Sequence, residues 1–187
     1  MSFMLRHLPN TLTAMRLFCA PALAALLLTG SYQAALGILA FAGLTDAADG
    51  FLAKRYGLST RFGRYLDPAA DKLLMLAAYI ALTRIDVAPL WLTGLVILRD
   101  ALIVVAVFAA RLLALPLRVE PLPIGKACTV VQVAYVAFIL VLLAFRLDAP
   151  GYAHVAALTT VAFTVASGLA YAGLWLKAVV ARYRRAT

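Results

Sequence analysis

Four aspartates are the residues of this sequence whose type and spacing could do chemistry. Asp46 and Asp49 are three positions apart and Asp67 and Asp71 are four apart, so on helices the members of each pair share one face. The chain has only eight acidic residues, and these four lie within 26 positions. Grouped carboxylates are the hard oxygen ligands that Mg²⁺ and Mn²⁺ take. The spacing therefore predicts a site for divalent cations, with a carboxylate available to accept a proton.

These carboxylates stand in segments that are apolar enough to lie in a membrane. Of the 187 residues, 65% are hydrophobic and 13% are charged, against about 25% charged in an average soluble domain. The mean hydropathy is +0.97. A carboxylate at hydrocarbon depth costs at least ~2.5 kcal/mol on insertion scales, so four together indicate a functional site. Salt bridges with the nearby bases are the structural alternative, but they do not require four acids from two helices.

The apolar segments predict the elements that position the aspartates. A membrane-spanning helix needs about 20 residues, and the chain divides into six such spans with short connections. Their predicted bounds are 11–29, 32–55, 65–84, 88–113, 124–146 and 152–180. The predicted fold class is therefore all-α, a polytopic membrane protein with six transmembrane helices in a single domain over residues 1–187.

The basic residues predict the orientation of these helices. Of 17 Lys and Arg, only Arg84 and Arg146 fall in the connections after odd-numbered spans. By the positive-inside rule, both termini and the even-numbered connections are then cytoplasmic. The net charge of +9 is explained by this topology and by attraction to anionic lipid. Without a soluble base-stacking surface, we expect no nucleic-acid partner.

The two aspartate pairs reach one depth in this arrangement. Asp46 and Asp49 are the 15th and 18th residues of the second span counted from its outer start, and Asp67 and Asp71 lie 17 and 13 residues from the outer end of the third. At ~1.5 Å per residue, this level is ~20 to 27 Å across a core of about 30 Å, just below the cytoplasmic boundary. A lipid headgroup can bind there while its acyl chains stay in the bilayer.

The aspartates belong to a longer motif that resembles the signature of the CDP-alcohol phosphotransferase family. That signature is DxxDGxxAR(x8)GxxxDxxxD, and it runs here from Asp46 to Asp71, with Gly50 and Gly63 at the matching positions. One position departs from it, because Lys54 stands where the family usually has arginine. Lysine keeps the charge but loses the bidentate contact with phosphate. The six-span layout extends the resemblance over the whole chain.

The resemblance implies a mechanism and a set of site residues. In this family two divalent ions hold the diphosphate of a CDP-linked substrate, and an acceptor hydroxyl attacks the β-phosphorus to release CMP. The implied ligands of the two ions, Mg²⁺ or Mn²⁺, are Asp46, Asp49, Asp67 and Asp71. Asp71 is also the implied general base. The implied contacts of the nucleotide diphosphate are Pro9, Asn10, Thr11, Gly50, Lys54 and Thr60. The resemblance further implies a homodimer.

The acceptor follows less directly from the motifs. The segment Leu8–Arg16 and the run Asp67–Lys72 are similar to both CMP-forming cardiolipin synthases and phosphatidylglycerophosphate synthases, which share the donor CDP-diacylglycerol. Leu98-Arg99-Asp100 looks like the Arg-Asp pair of the cardiolipin synthases, whereas the glycerophosphate enzymes more often have Arg-Glu there. We therefore expect a cardiolipin synthase that uses phosphatidylglycerol, with glycerol 3-phosphate as the alternative acceptor.

Two intramembrane cations are predicted to bind the phosphate of that acceptor. They are Arg99 and Lys126, which lie toward the cytoplasmic ends of their spans. For Arg99 the structural alternative is an ion pair with Asp100 or with the acidic cluster. For Lys126 it is a side chain that extends to lipid phosphates.

A cation transporter lined by intramembrane acids is the alternative from a different functional class. It is disfavoured because the acids cluster at one depth and form no relay across the bilayer. We expect an integral membrane enzyme among membrane lipids, with its active site facing the cytoplasm of a bacterial inner membrane.

Overall fold

Every element described in the computed structural model of this protein is a helix. The structure describes residues 2–56, 63–112 and 122–186, with backbone alone for 2–14, 49–56, 63–68, 111 and 181–186. The helices are α1 Ser2–Leu28, α2 Tyr32–Tyr56, α3 Gly63–Arg84, α4 Leu90–Leu112, α5 Pro123–Phe145 and α6 Pro150–Ala186. The all-α prediction is confirmed for this part of the chain. Each predicted span overlaps one helix, although α1 begins before residue 11 and α6 continues past residue 180.

Three helices are long and apolar enough to cross a membrane. Among the described residues, these segments are Leu90–Ala110, Pro123–Phe145 and Pro150–Val180. Met15–Leu28 is a shorter apolar helical segment. The three long segments indicate an integral membrane protein, while membrane crossing by α1, α2 and α3 and the orientation of the termini stay predictions.

The outward side chains of α4 suit contact with lipid. Leu98, Leu102, Val105 and Phe108 are each more than half exposed. Soluble monomers rarely expose so continuous an apolar stripe. Exposing the same stripe to hydrocarbon costs no free energy, because lipid tails are as apolar as these side chains.

The connections after α1, α3 and α5 are short because each of these helices ends in the same left-handed cap. Gly30, Asp86 and Arg146 have φ angles of 76°, 58° and 52°. After α1, the Ser31 amide donates to the Leu26 carbonyl at 2.8 Å, and the equivalent bonds after α3 and α5 are 3.0 and 2.8 Å long. This bond defines a Schellman motif, which satisfies carbonyls that a helix end would otherwise leave unpaired.

The described contacts divide the chain into two units. The first comprises Met1–Ala88 and Val136–Asp148, and the second Pro89–Tyr135 and Ala149–Thr187. In the first unit, α1 packs against α2 and α3, around the fully buried side chains of Leu23, Leu27, Ala35, Ala78 and Leu82.

In the second unit, α4 packs against α6. There a polar contact also joins α5 to α6, because Gln132 Nε2 donates to Thr164 Oγ1 at 3.3 Å. Thr164 in turn donates to the Thr160 carbonyl at 2.7 Å. All three side chains are buried. Their hydrogen bonds satisfy polar groups inside an apolar helix pair, as is required away from water.

Candidate active site

The described part of the acidic cluster joins α1, α2 and α3. Arg16 of α1 lies between two aspartates: its Nη1 is 3.1 Å from Oδ1 of Asp46 in α2, and it donates a 2.9 Å hydrogen bond to Oδ1 of Asp71 in α3. Because both oxygens lie about 3 Å from one nitrogen, they are at most about 6 Å apart. The structure thus brings one aspartate of each predicted pair to a common point.

The other two aspartates lie on the same helices. The backbone of α2 continues through Asp49, and that of α3 begins before Asp67. Their side chains lie outside the described residues, so the four-carboxylate site stays a prediction. Where side chains are described, no three His, Cys, Asp or Glu residues come together, and only two of the four aspartates belong to that part.

The surroundings of Asp46 and Asp71 fit a cation. The Arg16 side chain is 1% exposed, while those of Asp46 and Asp71 are 53% and 47% exposed. The carboxylates are therefore held on one side by a buried guanidinium and remain accessible on the other. Accessible carboxylate oxygens from two helices are the donor set that Mg²⁺ or Mn²⁺ binds.

The pairing of Arg16 with Asp46 and Asp71 was not predicted from the sequence, where Arg16 was named only as the end of the Leu8–Arg16 segment. The available signal was a single charge inside an apolar span, since a buried arginine in such a helix needs an acidic partner. Sequence alone does not say which acid that partner is.

The predicted acceptor residue Arg99 is a buried cation of the second unit. It is 8% exposed, and its Nη1 donates to Asp100 Oδ1 at 2.7 Å while its Nη2 donates to Ser167 Oγ at 2.5 Å. Its guanidinium carbon lies 5.9 Å from the centre of the Tyr171 ring, a distance that allows a cation–π contact. The ion pair with Asp100 is therefore present. Within the described residues, Arg99 Nε has no hydrogen-bond partner.

Tyr171 links Arg99 to the start of α5, where Lys126 lies. The Leu122 amide donates to the Tyr171 hydroxyl at 3.2 Å. A Cβ at Gly125 would lie only 2.8 Å from that hydroxyl, so glycine is what allows the tyrosine to approach. Lys126 is the next residue and is exposed. Tyr171 therefore contacts Arg99 and the start of α5, and no pattern in the sequence singles this tyrosine out.

The predicted nucleotide contacts are the least described part of the site. Pro9, Asn10 and Thr11 lie in α1, and Gly50 and Lys54 lie in α2. Their side chains lie outside the described residues, and so does the whole of Thr60. Their assignment stays a prediction.

Comparison with known proteins finds similarity over most of the chain. The family model described as CDP-alcohol phosphatidyltransferase matches residues 6–178. A cardiolipin synthase (CMP-forming) of Rattus norvegicus is 36% identical over 180 residues, which cover 88% of this chain and 60% of the relative. A probable cardiolipin synthase (CMP-forming) of Drosophila melanogaster is 40% identical over 110 residues, 58% of this chain and 34% of the relative.

A second kind of relative covers the same share of this chain as the Rattus norvegicus protein does. A probable phosphatidylglycerophosphate synthase of Mycobacterium tuberculosis is 35% identical over 176 residues, which cover 88% of this chain and 79% of the relative. By contrast, the matches span only 34% and 60% of the length of the two cardiolipin synthases.

Proposed function

Because this chain belongs to the CDP-alcohol phosphatidyltransferase family, we propose that it transfers the phosphatidyl group of CDP-diacylglycerol to phosphatidylglycerol, forming cardiolipin and releasing CMP. The observation that supports this most is the meeting of Asp46 and Asp71 at Arg16, with both carboxylates about half exposed. Because Arg16 covers only one side of these carboxylates, their exposed oxygens can still bind the cations that accompany a diphosphate. Carboxylates fully buried in salt bridges could not.

Two divalent ions, Mg²⁺ or Mn²⁺, are part of the proposal. Their ligands would be Asp46, Asp49, Asp67 and Asp71. When bound, the ions would supply Lewis-acid polarisation and charge neutralisation at the diphosphate. The four carboxylates would hold these ions, and Lys54 with Gly50 would contact the diphosphate of the donor.

Asp71 is proposed as the general base. The acceptor hydroxyl oxygen forms a bond to the β-phosphorus, the bond from that phosphorus to the CMP oxygen breaks, and Asp71 takes the hydroxyl proton. The hydrogen bond from Arg16 to Asp71 Oδ1 stabilises the carboxylate as an anion, which is the form that accepts a proton. Arg16 therefore acts on the reaction through Asp71 and is a positioning residue.

The choice of acceptor rests on two cations of the second unit. Arg99 and Lys126 would bind the acceptor phosphate. Phosphatidylglycerol carries one negative charge on a phosphodiester. Glycerol 3-phosphate carries nearly two negative charges and enters from water, so a site for glycerol 3-phosphate would need more cations. The Arg99 guanidinium already shares its charge with Asp100 at 2.7 Å, which suits the singly charged acceptor.

Glycerol 3-phosphate is the second candidate acceptor, and the M. tuberculosis relative favours it. This chain covers 79% of that probable phosphatidylglycerophosphate synthase, more than of either cardiolipin synthase. The phosphatidyl-transfer step would be the same, since the two acceptors differ only in what carries the attacking hydroxyl.

The proposed setting is a bacterial inner membrane. We propose that residues 1–187 form one domain that crosses the membrane six times and functions as a homodimer. Both termini and the active site would face the cytoplasm. Three long apolar helices and the bias of basic residues toward one side support this arrangement.

Product analysis tests the acceptor. Purified protein in detergent would be given CDP-diacylglycerol, Mg²⁺ or Mn²⁺, and either phosphatidylglycerol or glycerol 3-phosphate, and the lipid products would be separated by mass. We expect cardiolipin from phosphatidylglycerol. Phosphatidylglycerophosphate from glycerol 3-phosphate, with no cardiolipin, would move the assignment to the second candidate.

A further inference from the structure

Two side chains of α6 hold the Arg99 guanidinium of α4. Ser167 Oγ accepts a hydrogen bond from Arg99 Nη2, and the Tyr171 ring centre lies 5.9 Å from the guanidinium carbon. Ser167 and Tyr171 are four positions apart, so they lie on one face of α6, about one turn from each other. A hydroxyl and an aromatic ring, both uncharged, therefore contact the cation from the side of α6.

Tyr171 is itself held at its far end. Its hydroxyl accepts from the Leu122 amide at 3.2 Å, and the glycine at position 125 leaves the space that this hydroxyl occupies. Tyr171 cannot turn away from Arg99 without breaking its hydrogen bond to the residue before α5. The orientation of the guanidinium thus depends on α6 and, through Tyr171, on the start of α5.

The contacts of Arg99 leave one side from which a phosphate can approach. Ser167 is fully buried, and Arg99 Nε is buried as well, so a ligand cannot reach the guanidinium past either of them. The remaining hydrogen bond runs from Nη1 to Asp100 Oδ1, and the Asp100 side chain is 29% exposed. A phosphate oxygen can therefore reach Nη1 from the Asp100 side, in place of Asp100 Oδ1.

This exchange of one anion for another requires a cation that stays in place. An arginine side chain has many rotamers, and ordering it at the moment of binding would reduce affinity. The contacts with Ser167 and Tyr171 involve Nη2 and the face of the guanidinium. They can persist whether Asp100 or a phosphate is bound at Nη1.

We propose that Ser167 and Tyr171 are positioning residues for acceptor binding. They keep the Arg99 guanidinium fixed while the phosphate of the acceptor replaces Asp100 at Nη1. Both residues act through Arg99, and neither touches the substrate. The assignment of Arg99 to the acceptor, and the identification of that acceptor as phosphatidylglycerol, rest on the proposed function.

Ser167→Ala tests the hydrogen bond to Arg99 Nη2. We expect the KM for phosphatidylglycerol to rise about fivefold, with kcat and the KM for CDP-diacylglycerol within about twofold of wild type. Thr164→Val is the matched control, because it removes another buried hydroxyl of α6, one that accepts from Gln132. It should leave the acceptor KM unchanged. An acceptor KM that is the same in Ser167→Ala and in wild type would overturn the role of Ser167.

A double-mutant cycle separates positioning from a general loss of stability. In the Arg99→Ala protein, Ser167→Ala should raise the acceptor KM no further, because the hydrogen bond that it removes is already absent. If the two substitutions instead multiply each other's effects, Ser167 acts through packing and the proposal is overturned.

Two substitutions of Tyr171 test the ring, and they are sufficient if Ser167→Ala does not fold. Tyr171→Phe keeps the ring beside Arg99 and should leave the acceptor KM within about twofold of wild type. Tyr171→Leu removes the ring and should raise the acceptor KM about threefold above that of Tyr171→Phe. Equal acceptor KM values in the two variants would overturn the positioning role of the ring.

Acceptor binding without turnover separates this proposal from the proposed function. It is measured as the rise in melting temperature with increasing phosphatidylglycerol or glycerol 3-phosphate. Cardiolipin synthesis with equal acceptor affinity in wild type, Ser167→Ala and Tyr171→Leu would overturn the positioning role and leave the proposed function intact. Weaker binding of glycerol 3-phosphate in these variants, with no cardiolipin formed by wild type, would support the positioning role and contradict the proposed function. No stabilisation of wild type by either acceptor would overturn both.

Discussion

At the scale of single residues, the contacts of Arg16 determine how the acidic cluster is held. A guanidinium that is 1% exposed lies between two carboxylates that are about half exposed. Removing one partner of a buried ion pair destabilises a protein more than the intact pair stabilises it, because uncompensated charge is left behind. The same carboxylates would bind a metal, so the arginine and the metal would both neutralise them.

Arg16→Gln should therefore lower the free energy of unfolding in metal-free detergent solution by about 2 kcal/mol. Arg16→Lys keeps the charge and should lose about half as much. Thermal melting with and without Mn²⁺ measures this, and we expect Mn²⁺ to raise the melting temperature of Arg16→Gln more than that of wild type. Equal melting temperatures in all three proteins would contradict the role given to Arg16.

Asp71→Asn should lose at least about 100-fold in turnover, because an amide cannot accept the hydroxyl proton. It should bind CDP-diacylglycerol better than Asp46→Asn does, because Asp71 is proposed to act mainly as the proton acceptor of the chemical step and Asp46 as a metal ligand. Asp148→Asn is the control, because Asp148 is exposed in the connection before α6. The measurements are CMP release and donor binding, and a fully active Asp71→Asn would remove that residue from the mechanism.

Arg99→Ala should raise the KM for the acceptor more than the KM for CDP-diacylglycerol, because Arg99 is proposed to contact only the acceptor phosphate. Arg99→Lys should retain part of the acceptor affinity. Steady-state kinetics with each substrate varied in turn gives both constants. A rise in the donor KM alone would place Arg99 at the donor.

At the scale of helices, the apolar runs predicted the order of six elements, each of which overlaps a helix. They did not predict the ends. Helix α1 begins at Ser2 and α6 continues to Ala186, because basic residues such as Arg6 and Arg182 can extend a helix after its apolar pattern ends. Hydropathy reports the hydrocarbon core, whereas helix ends depend on caps.

The spacing of the aspartates likewise predicted that α2 and α3 each present acids on one face. It did not identify Arg16 as the partner of Asp46 and Asp71, because a lone charge in an apolar span has no periodicity that names its neighbour. The contact of Arg99 with Tyr171 could not be predicted from the sequence either, because it depends on how α4 packs against α6.

Gly30→Ala tests the caps. Its φ of 76° is one that L side chains rarely adopt, and a Cβ there meets no atom within 4 Å, so the cost is purely conformational. We expect a loss of about 1 kcal/mol of stability. Gly37→Ala is the matched control, because its Cβ also meets nothing but it lies inside α2, where alanine is about 1 kcal/mol better than glycine. Equal effects in an unfolding titration would contradict this account of the turn.

At the scale of the whole molecule, the chain carries the family's motif and matches the family over residues 6–178. Its first unit contains the described part of the acidic cluster, and its second contains Arg99 and Tyr171.

Release of CMP from CDP-diacylglycerol tests the central claim most directly. Purified protein would be freed of metal with a chelator and then assayed with phosphatidylglycerol at increasing Mg²⁺ or Mn²⁺. We predict no CMP without metal, full recovery on adding it back, and no recovery in Asp46→Asn. CMP release that is unchanged by the chelator, or that persists in Asp46→Asn, would contradict the account.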